Sequence, residues 1–171
     1  ALRLLALTGA RKNEVLSMVF SDLDLEAGLW TREAAKNKNR KKFEAPLAPE
    51  AVAILKAIRA WRDADQRKWV RSSPYVFPSN RSSLGRLNDV HIAFKRVLAL
   101  AGIDRDVHCH DLRATFITVT LVNGMQPSLL RHLTGHSSTA VLDRVYNRLQ
   151  SVDVLREGLA GVAAAWKRPE A

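Results

Sequence analysis

The spacing of apolar residues divides the chain into a short region of strands between helical regions. The opening apolar run is typical of the last turns of a helix, and Thr8-Gly9-Ala10 breaks it. A short helix is expected from about Arg11 to Met18, with Val15, Leu16 and Val19 facing inward. On this interpretation the chain begins inside a helix, as a fragment of a longer protein would.

Three brief alternating segments follow, and each is too short to be a helix. They span Asp22–Leu25, Leu29–Glu33 and Lys42–Leu47, separated by Ala27-Gly28 and by the basic run Lys36–Lys41. Short alternating segments with turn-forming or polar residues between them are typical of antiparallel strands. The pattern therefore predicts a small three-stranded antiparallel sheet whose last two strands are joined through the basic run.

Helical spacing dominates the rest of the chain. Pro49 fits the first position of a helix, whose apolar face is expected to be Ile54, Leu55, Ile58 and Trp61. Residues 70–86 predict a loop, and Asn88 can cap a second helix that ends at Gly102. The apolar face of that helix is expected to be Val90, Phe94, Val97, Leu98 and Ala101.

Further helices are predicted at 110–122, 127–133, about 139–147 and 151–166. Asn123-Gly124 stops the first of these, and Pro127 begins the second. The sequence therefore predicts an α+β fold that is mainly α-helical, with one small antiparallel sheet near the N-terminus. We expect a single domain across residues 1–171.

The composition limits the kind of partner that the chain binds. Hydrophobic residues make up 47% of the chain, which is enough for a folded core. The 27 Lys and Arg residues outnumber the 17 Asp and Glu residues and give a net charge of +10, which favours a polyanionic partner. No uninterrupted apolar stretch approaches the roughly 18 residues of a membrane span. A single cysteine, Cys109, excludes an internal disulfide and indicates a reducing compartment.

Several residues could carry chemistry, although each taken alone has an ordinary structural explanation. His110 and Arg113 lie three positions apart and project from one face of a predicted helix, where a surface pair is common. His136 in LTGHSS and Tyr146 in RVYNR could each be an unremarkable surface residue. A zinc site around Cys109 is not expected, because its two neighbouring histidines leave no evident fourth ligand.

Taken together, these residues resemble the tyrosine recombinases, the phage-integrase family, over about residues 4–150. TGARKNEVLSM is similar to the first-arginine box of that family, HCHDLRATF to its second box and LLRHLTGHSSTAVLDRVYNR to its third. The ten-residue step from His136 to Tyr146 is one longer than in many members and matches a subgroup of phage and genomic-island integrases. The resemblance implies the catalytic set Arg11, Lys38, His110, Arg113, His136 and Tyr146.

The lysine is assigned by its place in the predicted hairpin. The family's catalytic lysine typically lies eight positions before the proline that ends the third strand, and Pro46-Leu47 then selects Lys38. Lys36 is the alternative, because the length of this hairpin varies in the family. The residues expected to contact the DNA backbone are Lys36, Lys41 and Arg131.

The resemblance also implies a mechanism. Tyr146 would attack a DNA phosphodiester to give a 3′-phosphotyrosine and a free 5′ hydroxyl, and strands would be exchanged and rejoined without ATP, cofactor or metal. Guanidinium groups suit the charge that gathers on the phosphate oxygens. The implied roles are phosphate binding for Arg11, Arg113 and His136, proton acceptance for His110, leaving-group protonation for Lys38 and support of the arginine box for Glu14.

The implied partners are double-stranded DNA recombination sites. We expect a monomer when the chain is free and a homotetramer on DNA, in the bacterial cytoplasm at the nucleoid, encoded by a bacterium or phage. The apolar stripe of 151–166 could pack on its own domain or on a neighbouring subunit. An N-terminal DNA-binding domain and a first helix are expected to precede this chain. The alternatives are a type IB topoisomerase-like enzyme and a non-catalytic basic DNA-binding module.

Overall fold

A computed structural model describes residues 1–33, 42–136 and 138–149 of the chain. Most of these residues are helical. The helices are α1 Leu2–Thr8, α2 Lys12–Leu16, α3 Pro49–Ala64, α4 Lys68–Arg71, α5 His91–Leu100, α6 Asp111–Val122, α7 Pro127–Thr134 and α8 Ala140–Leu149. The predicted helix at 151–166 lies outside the described residues.

The predicted sheet is confirmed, with bounds close to those expected. Strands β1 Leu23–Asp24, β2 Leu29–Glu33 and β3 Lys42–Pro46 pair antiparallel in that order. The register places Trp30 of β2 opposite both Leu23 and Ala45. Successive strand residues point to opposite faces, so Trp30 and Arg32 share the face that is buried. The α+β, mainly helical fold class is therefore confirmed.

The buried apolar side chains form two clusters. The first core joins α1, α2, the sheet, α3 and the loop after α4, and its fully buried members include Leu4, Val15, Leu16, Ala51 and Leu55. The second core lies between α6, α7 and α8 and is formed by Ile117, Leu121, Leu130 and Leu142. Each core buries a stripe of helix residues from water, and this burial is the main source of stability.

Helix α6 packs against both cores. Near its start, Leu112 and the preceding Cys109 pack on the first core, whereas Phe116 and Ile117 belong to the second. The Phe116 ring also lies directly over Gly9 at the end of α1, where a β-carbon would meet its Cδ1 atom at 2.2 Å. Gly9 has a φ of 57°, so glycine is needed here for both conformation and space.

Three local expectations were wrong, and one helix was missed. Trp61 is 53% exposed, because the buried residues of α3 lie in its first half, at Ala51 and Leu55. Val97 is 49% exposed, and only Phe94 of α5 is buried. Asn88 does not cap α5, whose N-cap residue is Val90. The short helix α4 was not predicted.

The helix expected from Arg11 to Met18 is also shorter than predicted. It spans Lys12–Leu16, and Val15 and Leu16 are fully buried as expected. Val19 is only half-buried and forms an isolated bridge with Tyr75. The chain leaves the helix early because the backbone beyond it pairs with the loop after α4, where Val76 N–H donates to Met18 O at 2.9 Å.

Candidate active site

Three arginines from three different elements donate to three consecutive carbonyls at the end of α7. The pairs are Arg32 with Leu133, Arg113 with Thr134 at 2.9 Å, and Arg11 with Gly135 at 3.2 Å. The last carbonyls of a helix have no donors within the helix and carry its negative partial charge. They are therefore good acceptors for guanidinium groups, and here they bring three of these groups together.

The end of α7 is shaped by Gly135. Its φ of 68° turns the chain, and the N–H groups of Gly135 and His136 both donate to Arg131 O, at 2.9 and 3.1 Å. This turn leaves the carbonyls of Leu133, Thr134 and Gly135 free to accept from the arginines. It also sets His136 immediately after the point where those arginines meet.

Arg11 precedes α2 and is held by a carboxylate of the same helix. Glu14 accepts the backbone N–H of Arg11 at 2.9 Å and its Nη1 at 3.0 Å. The Arg11 side chain remains 42% exposed, so part of its donor set faces solvent. Glu14 also accepts from Arg32 Nη1 at 3.3 Å, so one carboxylate joins two guanidinium groups.

Among the predicted site residues that the structure describes, Arg113 is the most enclosed. It is 5% exposed, and its Nη1 donates to Gly9 O at 2.6 Å. Burial lowers the pKa of Arg113 to about 10, with a smaller contribution from the charge on Arg11. The guanidinium therefore remains charged at neutral pH, in a position that bridges the end of α1 and the end of α7.

His136 lies against Arg113 and Thr134. Arg113 Nη2 is 3.1 Å from Nε2 and 3.3 Å from Nδ1 of the ring, and Thr134 Oγ1 is 2.6 Å from Nδ1. Burial, together with the smaller effects of the charges on Arg113, Arg11 and His110, lowers the pKa of His136 to about 4. The imidazole is therefore neutral at pH 7 in the free chain.

The other predicted site residues are less closely joined to this group. His110 is exposed at the start of α6, in a pocket that it shares with Arg113 and Lys12. The side chain of Tyr146 is partly buried on α8 and packs against the second core. Arg131 is partly buried on α7, and its carbonyl, described above, supports the turn. The predicted lysines Lys36, Lys38 and Lys41 lie outside the described residues.

Two residues of this group were missed in the sequence: Arg32 and Thr134. Arg32 is 6% exposed, and Thr134 is fully buried. A signal for Arg32 was present, because strand alternation places it on the same face as the buried Trp30. An arginine that faces a core needs hydrogen-bond partners, so its position predicted a buried polar contact. Thr134 had no comparable signal within a helix of ordinary composition.

The electrostatic character of the group is positive. The group holds three guanidinium groups and one carboxylate, that of Glu14, which contacts Arg11 and Arg32. The lowered pKa values of Arg113 and His136 reflect burial first and the neighbouring positive charge second. Such a cluster favours a bound anion with several acceptor oxygens. In the part of the chain that the structure describes, no three His, Cys, Asp or Glu side chains could hold a metal ion.

The fold is that of the tyrosine recombinases. The crystal structure of XerA recombinase superposes with a TM-score of 0.70 and 26% identity, covering 98% of this chain and 55% of that one. The sequence pattern of the phage integrase family matches residues 1–152. The chain therefore belongs to the phage integrase family.

Named relatives match over a large part of this chain. Prophage integrase IntF of Escherichia coli (strain K12) is 29% identical over 156 residues, which is 91% of this chain and 31% of that protein. Tyrosine recombinase XerD of Caulobacter vibrioides is 32% identical over 142 residues, which is 81% of this chain and 45% of that protein. The chain thus spans less than half the length of both.

Among the described helices, none is long and apolar enough to cross a membrane.

Proposed function

We propose that this chain is the catalytic domain of a site-specific DNA recombinase in which Tyr146 is the nucleophile. The observation that carries the proposal is the meeting of Arg11, Arg113 and His136 at the end of α7. Family membership supports the reaction class, and the net charge of +10 supports a DNA partner.

The proposed reaction exchanges one phosphodiester for another. The Tyr146 oxygen bonds to phosphorus, the bond from phosphorus to the 5′ oxygen breaks, and a 3′-phosphotyrosine and a 5′ hydroxyl result. Because the phosphodiester is conserved, attack by a 5′ hydroxyl of another strand reverses the step without ATP. Arg11 and Arg113 would bind the non-bridging oxygens, where charge increases in the transition state.

Proton transfer is assigned to two further residues. Free tyrosine has a pKa of about 10, so Tyr146 needs a proton acceptor at neutral pH. His110 would accept that proton, and its exposed position beside the Arg113 pocket is open to substrate. Lys38 would protonate the leaving 5′ oxygen, with Lys36 as the alternative, and His136 would contact the same phosphate as the arginines.

Covalent trapping on DNA tests the nucleophile. A pool of nicked duplexes of randomised sequence retains the covalent intermediate, because the short released strand diffuses away. The wild-type chain should form an adduct that Tyr146→Phe abolishes, while Tyr75→Phe, the matched control at the only other tyrosine, should leave it intact. An adduct with Tyr146→Phe would contradict the assignment. An absence of any wild-type adduct would favour a non-catalytic DNA-binding module.

The same pool separates the lysines by role. Lys38→Ala should impair cleavage far more than binding, whereas Lys41→Ala should lower the salt dependence of binding by about one unit of slope. Normal cleavage by Lys38→Ala with loss in Lys36→Ala would reassign the catalytic lysine.

Light scattering with and without DNA tests the proposed change from free monomer to tetramer on the recombination site.

A further inference from the structure

The hydroxyl of Thr134 fixes the position of one proton on His136. Thr134 is fully buried in the last turn of α7, and its Oγ1 donates to Leu130 O at 2.7 Å. A hydroxyl has a single proton, so the 2.6 Å contact with His136 Nδ1 requires Nδ1–H to donate to Oγ1. The geometry around Thr134 therefore favours a neutral imidazole protonated at Nδ1.

Arg113 is compatible with the same assignment. Its Nη2 lies 3.1 Å from Nε2 and 3.3 Å from Nδ1 of His136, and a guanidinium nitrogen can only donate. With the proton of the ring on Nδ1 and donated to Thr134, the nearer nitrogen, Nε2, is left to accept from Arg113. Thr134 on α7 therefore selects the tautomer, and Arg113 on α6 provides a donor to the nitrogen that remains unprotonated.

We propose that Thr134 is a positioning residue that holds His136 in its Nδ1–H form, with Nε2 as the ring nitrogen that faces a reacting phosphate. This inference rests on the proposed function, in which Arg113 and His136 bind the same phosphate. Because Nδ1–H is committed to a buried acceptor, the ring cannot turn to present Nδ1 instead. In the free chain Nε2 accepts from Arg113, so it donates to a phosphate oxygen only after it takes up a proton from solvent and the Arg113 N–H turns from Nε2 to the phosphate. The contact between Nδ1–H and Thr134 is the same in the neutral and the protonated ring.

Nitrogen NMR of the imidazole rings tests the tautomer directly. In ¹⁵N-labelled protein at pH 7, long-range proton–nitrogen correlations distinguish a protonated ring nitrogen from an unprotonated one. His136→Gln identifies the signals of His136 among the five histidines. We expect Nδ1–H in the wild type and in Thr134→Ser, which keeps the hydroxyl. In Thr134→Val, which keeps the shape but not the acceptor, the Nδ1–H population should fall.

The consequence for catalysis is measured on the nicked-duplex pool. Thr134→Val should slow adduct formation about tenfold, the order expected for loss of one hydrogen bond that orients a reacting group, with little change in DNA affinity. Thr134→Ser should remain close to the wild-type rate. A purely structural role for Thr134 would leave the tautomer unchanged in Thr134→Val.

The two measurements separate failure of this inference from failure of the proposed function. Nε2–H in the wild type, an unchanged tautomer in Thr134→Val, or wild-type cleavage by that variant would each overturn the positioning role. If the wild-type chain forms no adduct on any duplex, the proposed function fails. The NMR comparison of Thr134→Val with Thr134→Ser then still decides whether Thr134 sets the tautomer.

Discussion

The contacts within the two hydrophobic cores differ in kind from the contacts at the boundary between the cores. Within each core the packed side chains are apolar: Val15 and Leu55 belong to the first, and Leu130 and Leu142 belong to the second. Across the boundary, Arg11 and Arg32 of the first region donate to carbonyls of α7 in the second. Apolar contacts stabilise without strict direction, whereas paired guanidinium bonds fix angle and distance. The candidate site thus lies where directional contacts add to the apolar packing between the two regions.

The largest expected effect on stability comes from creating a cavity in each core in turn. Leu55→Ala and Leu130→Ala remove fully buried leucines and should each lower the free energy of unfolding by about 2–5 kcal/mol. Only Leu130→Ala should also slow cleavage, because its helix ends in the carbonyls that hold the arginines. Urea unfolding and covalent trapping, at a temperature where both variants are folded, check this. Equal slowing by Leu55→Ala would contradict the division into two regions.

A substitution that keeps the charge of an arginine at the boundary but removes its hydrogen-bond geometry tests the boundary itself. Arg113→Lys retains the positive charge but cannot reach Gly9 O, Thr134 O and His136 at once. Adduct formation should fall by about 10²–10³-fold, the range for loss of one preorganised donor. Single-turnover trapping measures the rate. Arg96→Lys, on an exposed face of α5, is the matched control and should cleave like the wild type.

Packing across the boundary predicts a smaller effect on stability. In Gly9→Ala the new methyl group lies 2.2 Å from Cδ1 of the Phe116 ring, and the alanine must adopt a φ of 57°. Backbone strain and overpacking should together lower the free energy of unfolding by about 2–4 kcal/mol. Gly124→Ala is the control, because its φ is 87° and nothing lies within 4 Å of the added atom. It should cost only about 1–2 kcal/mol. Equal losses in urea unfolding would show that Gly9 matters for conformation alone.

The smallest predicted effect is a dependence of stability on pH. The pKa of His136 is lowered from 6.5 to about 4 in the folded chain, so the unfolded chain binds more protons between these values. The free energy of unfolding should therefore decrease as the pH falls from about 6.5 to about 4. Urea unfolding across this range should show less of that decrease in His136→Gln. A variant with an unchanged pH dependence would assign the effect to other groups.

Much of the fold follows from local patterns. Alternation placed the three strands to within two residues, and Pro49, Pro127 and Asn123-Gly124 marked helix ends that the structure confirms. These signals are local because backbone conformation depends on the next few residues. Two of the errors lie at Trp61 and Val97, where helical spacing indicates an apolar face but not whether another element covers it.

The sequence alone determined the family, the order of the three boxes that resemble it and the positions of Arg11, Arg113, His136 and Tyr146 within them. Only the tertiary structure decided how the arginines and His136 meet. Arg11 reaches Gly135 across 124 positions, Arg32 reaches Leu133 across 101, and Arg113 reaches Gly9 across 104. The backbone carbonyl groups are chemically alike at every position of the chain. Which of them accepts from which arginine depends on how two separately packed cores come together, and residue type and spacing do not carry that information.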